Sequence, residues 1–174
     1  MHSLPGHIRY SLGQCKLGSL LLAGCETGIC AILLGDDEQT MMADLQRRFP
    51  RATLTQDDAA LGADLQALLR YVDQPLGRLQ MQQPLNAFGS DFQQQVWGEL
   101  AKVPAGQTIS YTELARRLGK PAAVRAVAGA CAANPLAIVV PCHRVLRSDG
   151  GISGYRWGVE RKQQLIELER QLAG

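Results

Sequence analysis

Two boxes of the form S-x-x-E/Q constrain this chain more than any other feature. Ser90-Asp91-Phe92-Gln93 and Ser110-Tyr111-Thr112-Glu113 each set a hydroxyl three residues ahead of an amide or carboxylate. In that pattern the cap side chain and the third helical residue satisfy each other's unpaired backbone donors, so each box predicts a helix start. The first opens a helix with Phe92, Val96, Trp97 and Leu100 on one face, closed by Pro104-Ala105-Gly106. The second opens a short helix with Leu114, Ala115 and Leu118 inward, followed by a Gly119-Lys120 turn. Pro121 suits the first position of a next helix, which runs to about Ala133 and stops at Asn134-Pro135. A short helix, a glycine turn and a second helix form a helix-turn-helix pattern.

The first half reads differently. Ile8 to Cys15, Ser19 to Ala23 and Ile29 to Leu34 predict a three-stranded meander, turning at Lys16-Leu17-Gly18 and Glu26-Thr27-Gly28. Asp36 or Asp37 caps a helix to about Phe49, where Pro50 stops it. Asp57 or Asp58 caps another, with Leu61, Leu65, Leu68, Leu69 and Val72 at helical spacing, and residues 73–77 form a loop. Turn formers between Pro84 and Gly89 place a boundary, giving an N-terminal domain of residues 1–86 and a C-terminal one of 87–174. The class is α+β.

Composition excludes several alternatives. No window approaches the roughly 18 apolar residues that a membrane span needs. Met1 to Gly6 has neither a charged nor an apolar signal region, so no secretory signal is expected. Five cysteines at irregular spacing argue against a disulfide framework and for a reducing compartment, so a cytoplasmic location is expected. Cys15, Cys25 and Cys30 contain no CxxC pair to join with His2 or His7, and buried thiols explain them better than zinc ligands. No metal and no cofactor is expected. Residues 1–97 carry a net charge of −3 and residues 98–174 a net charge of +5. A basic C-terminal half favours a polyanionic partner.

The helix after Gly119 is rich in Ala and Gly, with Arg125 as its charged side chain. Either it is buried against close neighbours, or its backbone enters a nucleic-acid groove with Arg125 reaching between bases. Ile138-Val139-Val140 reads as a short buried strand interrupted by Pro141, which sets Cys142 at a strand end. His143 and Arg144 beside it offer a base and a cation, both of which favour the nucleophilic thiolate. Adjacent residues on an extended chain point oppositely, so a bridging water between Cys142 and His143 is expected. Glu160, Glu167 and Glu169 on a final helix are candidates to orient the imidazole.

Pro141-Cys142-His143-Arg144-Val145 resembles the active-site signature of the O6-alkylguanine-DNA alkyltransferases. Matching segments follow in order: Ile109-Ser110-Tyr111, Val124-Arg125-Ala126-Val127, Ala133-Asn134-Pro135 and Gly154-Tyr155-Arg156-Trp157-Gly158. The resemblance takes in Gly28 to Asp37 as well, and is greatest to the C-terminal domain of the bacterial Ada proteins. It implies a ribonuclease-H-like N-terminal domain with a small antiparallel sheet and helices, and a winged-helix-like, DNA-binding C-terminal domain. It also implies direct, irreversible, single-turnover alkyl transfer from O6-alkylguanine, and from O4-alkylthymine, to Cys142.

Each residue role here follows from the resemblance. His143 acts through a water as the base, Glu169 orients it, and Asn134 braces the turn before the cysteine strand. Tyr111 stands beside the flipped nucleotide and helps protonate the departing guanine. Arg125 replaces that nucleotide in the stack, and Ala126, Gly129 and Ser148 face the DNA. Val145, Tyr155, Arg156 and Lys162 form the substrate pocket. The implied partner is double-stranded DNA carrying O6-alkylguanine, bound by a monomer away from any membrane. Signalling by methylated phosphate, which in Ada needs a further metal-binding domain, is not expected of these residues. Two other readings compete: a non-catalytic lesion sensor, which Cys142 opposes, and a Cys-His-Glu hydrolase, which lacks a glycine-rich nucleophile turn ahead of Cys142.

Overall fold

The computed structural model describes residues 3–75 and 79–173, in two compact units, residues 1–88 and 89–174. His2, and the part of the expected 73–77 loop at positions 76 and 77, lie outside the described residues.

The first unit is built on three strands, β1 (His7–Cys15), β2 (Gly18–Cys25) and β3 (Gly28–Gly35), paired as the expected antiparallel meander. The sheet is nevertheless mixed. A fourth strand, β4 (Thr53–Gln56), joins the β1 edge in parallel, giving the order β3-β2-β1-β4. Every residue of β3 is buried, as its unbroken apolar run requires. Asp37 caps helix α1 (Glu38–Arg48), and Asp57 caps helix α2 (Asp58–Asp73). Helix α2 lies so close to β1 that a Cβ at Gly13 would come within 2.7 Å of Leu69 Cδ1. The buried Asp64 carboxylate accepts from the backbone of Gln82 and Gln83, and Asn86 donates its backbone N–H to Ile29, tying the last segment of the unit down.

The second unit contains helices α3 (Asp91–Leu100), α4 (Tyr111–Arg117), α5 (Val124–Ala132) and α6 (Val159–Ala173). Two short strands, β5 (Ile109–Ser110) and β6 (Val145–Leu146), pair in parallel. The Ser90–Gln93 box is complete. In the second box only the Ser110 half forms, because the Glu113 carboxylate is taken by Arg116 and Arg117. Phe92 and Leu118, both expected inward, are only half-buried, and Lys120 lies 5.0 Å above the Phe92 ring. Trp97 pins α3 to α5 by donating Nε1–H to the Ala130 carbonyl at 2.9 Å.

Two local expectations fail. Helix α5 begins at Val124 rather than Pro121, since a turn closed by Ala123 N–H on the Lys120 carbonyl comes first. Residues 138–140 are a turn rather than a strand. Ile138 has φ of 75°, and Cys142–Arg144 form a single 3-10 turn. Left-handed backbone at a β-branched residue is sterically costly and persists only where the surroundings impose it. Here Ile138 is buried in the core of the unit.

Candidate active site

Asn134 organises the approach to Cys142. Wholly buried just after α5, it accepts the Leu136 N–H on Oδ1 at 2.9 Å. Its amide donates to the Val140 carbonyl at 2.9 Å and to Cys142 Sγ at 3.2 Å. One side chain thus closes the turn on both sides and touches the sulfur at its end. Such capture of backbone groups by Asn is why the apolar run does not extend as a strand.

The 3-10 turn sends His143 into the core, where Nε2 meets Oε1 of Glu169 from α6. Its Nδ1 has no partner within the protein among the described residues. Burial holds the imidazole below its ordinary value, against the opposing pull of Glu169, so it is neutral at neutral pH. Burial would raise the Glu169 carboxyl, but hydrogen bonds from His143 and Arg144 outweigh it and hold it at about 2. Gly106 N–H also points to this carboxylate at 3.4 Å.

Arg144 does not serve the sulfur. Its Nε and Nη2 donate to Glu169 at 2.8 and 3.2 Å, and its Nη1 donates to the Val103 carbonyl at 2.6 Å. Burial pushes the Cys142 thiol up to about 11, with Asn134, Lys162 and Arg156 pulling the other way. The resting sulfur is therefore a thiol, contrary to the expectation that Arg144 would favour thiolate. Ionisation needs a base rather than a resident cation.

A second cluster stands beside the first. Tyr111, the first residue of α4, holds its hydroxyl 2.6 Å from Ser153 Oγ, and burial raises that phenol. Lys162 of α6 is wholly buried, donates to Ser153 Oγ at 3.0 Å, and lies 5.9 Å from the Tyr111 ring centroid. Tyr155 and Trp157 pack edge to face at 5.3 Å, with the Arg156 guanidinium 5.7 Å from the Trp157 ring centroid.

The outer surface is formed by α5 and the loop after β6. Val127, Ala130 and Cys131 face the core, while Ala122, Arg125, Ala126 and Gly129 are exposed. Ala126 and Gly129 therefore lie on the open face, while Ala130 faces the core. Ser148 is exposed and sits 3.2 Å from the Thr112 hydroxyl at the start of α4.

Residues 8–81 match the family described as 6-O-methylguanine DNA methyltransferase, ribonuclease-like domain, and residues 91–171 match its DNA binding domain. The chain belongs to this family. It is 50% identical over 164 residues to the bifunctional transcriptional activator/DNA repair enzyme Ada of Escherichia coli K12, covering 94% of this chain and 46% of that protein. It thus spans about half the length of that relative. A methylated-DNA–protein-cysteine methyltransferase of Mycolicibacterium paratuberculosis is 36% identical, covering 94% of this chain and 93% of that protein. The crystal structure of Mycobacterium tuberculosis OGT in complex with DNA superposes with a TM-score of 0.78 at 34% identity, over 95% of this chain and 94% of that one.

Cys142, His143, Glu169 and Asn134 come together, and of the three candidate carboxylates Glu169 is the one on the imidazole. Tyr111 and Lys162 are joined through Ser153, which sequence reasoning missed. A lone serine in a loop carries no spacing signal. Val145 lies in β6 opposite Ile109. Arg125, Ala126, Gly129 and Ser148 stay on the exposed surface. Among the described residues no three His, Cys, Asp or Glu side chains converge on a common point, and no helix is long and apolar enough to cross a membrane.

Proposed function

We propose that this protein repairs double-stranded DNA by transferring the alkyl group of O6-alkylguanine, and of O4-alkylthymine, to Cys142 in a single irreversible turnover. The observation that carries this reading is the chain Asn134–Cys142 and His143–Glu169, a buried thiol beside a neutral imidazole whose far nitrogen is already engaged. His143 Nδ1 is left to take the thiol proton through a water, and Glu169 stabilises the imidazolium that forms. Sulfur attacks the saturated carbon in line. The S–C bond forms, the C–O6 bond breaks, and its electron pair leaves with the guanine, which receives a proton from Tyr111. The product is a thioether, whose C–S bond resists hydrolysis.

A base within a duplex cannot present this carbon, so the nucleotide is flipped, at a cost of a few kcal/mol. The exposed face of α5 supports the matching role. Ala126 and Gly129 allow close backbone approach to the minor groove, Arg125 fills the gap in the stack, and Ser148 contacts the backbone. Tyr155, Arg156, Val145 and Lys162 enclose the base. The protein acts as a monomer without cofactor, in the cytoplasm, where its free cysteines stay reduced.

The test is intact mass after incubation with duplex DNA carrying radiolabelled O6-methylguanine. The expected result is the gain of one methyl group per molecule, with label on Cys142 and none on Cys142→Ala. Label retained on DNA, or moved equally well by Cys142→Ala, overturns the proposal. A hydrolase would turn over instead, and a lesion sensor would gain no mass.

A further inference from the structure

Lys162 is the most deeply buried cation among the described residues, and no carboxylate pairs with it there. Its ammonium has only protons to give. They go to Ser153 Oγ at 3.0 Å and to the Gly154 carbonyl at 3.5 Å. Ser153 Oγ in turn lies 2.6 Å from the Tyr111 hydroxyl, and Ser153 has no other hydrogen-bond partner among the described residues.

The donor-only end makes Ser153 an acceptor from Lys162. Its own O–H is then satisfied within the protein only by donating to the Tyr111 oxygen. Were Tyr111 to donate instead, the serine proton would have no acceptor in a part-buried place. In the polarity that gives every proton of the row an acceptor within the protein, Tyr111 accepts from Ser153, and its phenolic proton is left free to point away, toward whatever lies in the site.

We propose that Ser153 is a positioning residue that couples the Lys162 ammonium to the Tyr111 phenol, so that the phenol is both aimed as a proton donor and resupplied as it donates. The inference rests on the alkyltransferase reading above and adds a residue to its acid half. As the C–O6 bond breaks, Tyr111 gives its proton to the departing guanine. Ser153 passes its proton to the Tyr111 oxygen and takes one from Lys162, which ends neutral. The thiol proton ends on His143, so the site's total charge is unchanged. Burial holds the Lys162 ammonium below its ordinary value, which suits a group that gives up a proton when asked.

The experiment compares two methyl donors that differ in their need for an acid. O6-methylguanine in duplex DNA needs its leaving group protonated. Methyl iodide gives the same S-methyl product with a leaving group that needs no proton. Methylation at Cys142 is scored by peptide mass in wild type, Ser153→Ala and Ser153→Thr, with thermal melting as the check on folding. Ser153→Ala is expected to slow transfer from DNA by about 10- to 100-fold while changing the methyl iodide rate by less than about twofold. Ser153→Thr, which keeps the hydroxyl, is expected to recover most of the loss. Transfer from DNA at the wild-type rate in Ser153→Ala overturns the proposal. So does an equal loss with both donors, which would mark Ser153 as merely structural. If wild type accepts methyl iodide but takes no methyl from DNA, the alkyltransferase reading itself fails, and the coupling fails with it.

Discussion

Asn134 and Cys142 are joined by a buried hydrogen bond from the side-chain amide to Sγ, 3.2 Å long, and the same amide nitrogen also holds the Val140 carbonyl. The residue that shapes the turn is thus the residue that touches the sulfur. Asn134→Ala should leave Leu136 N–H buried without a partner and strip the Val140 carbonyl of one of its two donors, the Cys142 N–H remaining, lowering unfolding stability by about 1–3 kcal/mol. Urea unfolding checks this. A loss below about 0.5 kcal/mol would mean that the turn stands without its brace.

Acid should unfold the protein in two stages. Both His143 and Glu169 are held below their ordinary values of 6.5 and 4.5. A group held low contributes stability that is present above its ordinary value and is lost as the pH falls toward its folded one. Stability should therefore drop first below pH 6.5, as the unfolded state gains a proton on histidine, and again between 4.5 and about 2 through Glu169. Urea midpoints across pH test this, and Glu169→Gln should shrink the second drop, with Asp37, Asp58 and Glu113 supplying what remains.

Arg144 holds Glu169 with two donors and the Val103 carbonyl with a third. Lysine keeps the charge but cannot reproduce this fork. Arg144→Lys should therefore cost about 2–3 kcal/mol of stability, near the lower end for a weakened buried pair. Urea unfolding checks this, and a loss below about 0.5 kcal/mol would mean that the fork is not what holds Glu169.

On α5, Gly129 is a helical residue with nothing within 4 Å of where a Cβ would stand. Gly129→Leu should raise stability by about 0.5–1 kcal/mol through helix propensity. It should also weaken duplex binding by standing between backbone and groove. A leucine that stabilises the protein without weakening binding would move the DNA to another face.

Arg125 is exposed on the same face, so Arg125→Ala should change stability by less than about 0.5 kcal/mol. It should slow transfer from duplex DNA far more than from free O6-methylguanine base. Equal losses on the two substrates would refute an intercalating role. Affinity for duplex should fall with salt as counterions are released.

Local signals were the legible ones. The caps at Asp37, Asp57, Ser90 and Ser110 all form because each satisfies backbone donors within three residues of itself. Strand β4 escaped notice because it is a polar edge strand, largely exposed and paired on one side only, and so has no apolar alternation to read. Residues 138–140 have the composition of a strand, and the side chain that overrides it is Asn134, whose bonds to Leu136 and Val140 leave no trace in the apolar pattern. Arg144 was misassigned for a related reason. Its proximity to Cys142 in sequence is visible, whereas its partner Glu169 is 25 residues away.

The left-handed turn at Ile138 has a consequence for when the acceptor comes into being. A β-branched residue does not hold that conformation in a short peptide, and here it is held by burial in the core of the second unit. The turn that brings Cys142 to Asn134 accordingly depends on that core being in place. A nascent or half-folded chain carries Cys142 as an ordinary cysteine, and only the finished protein can commit it.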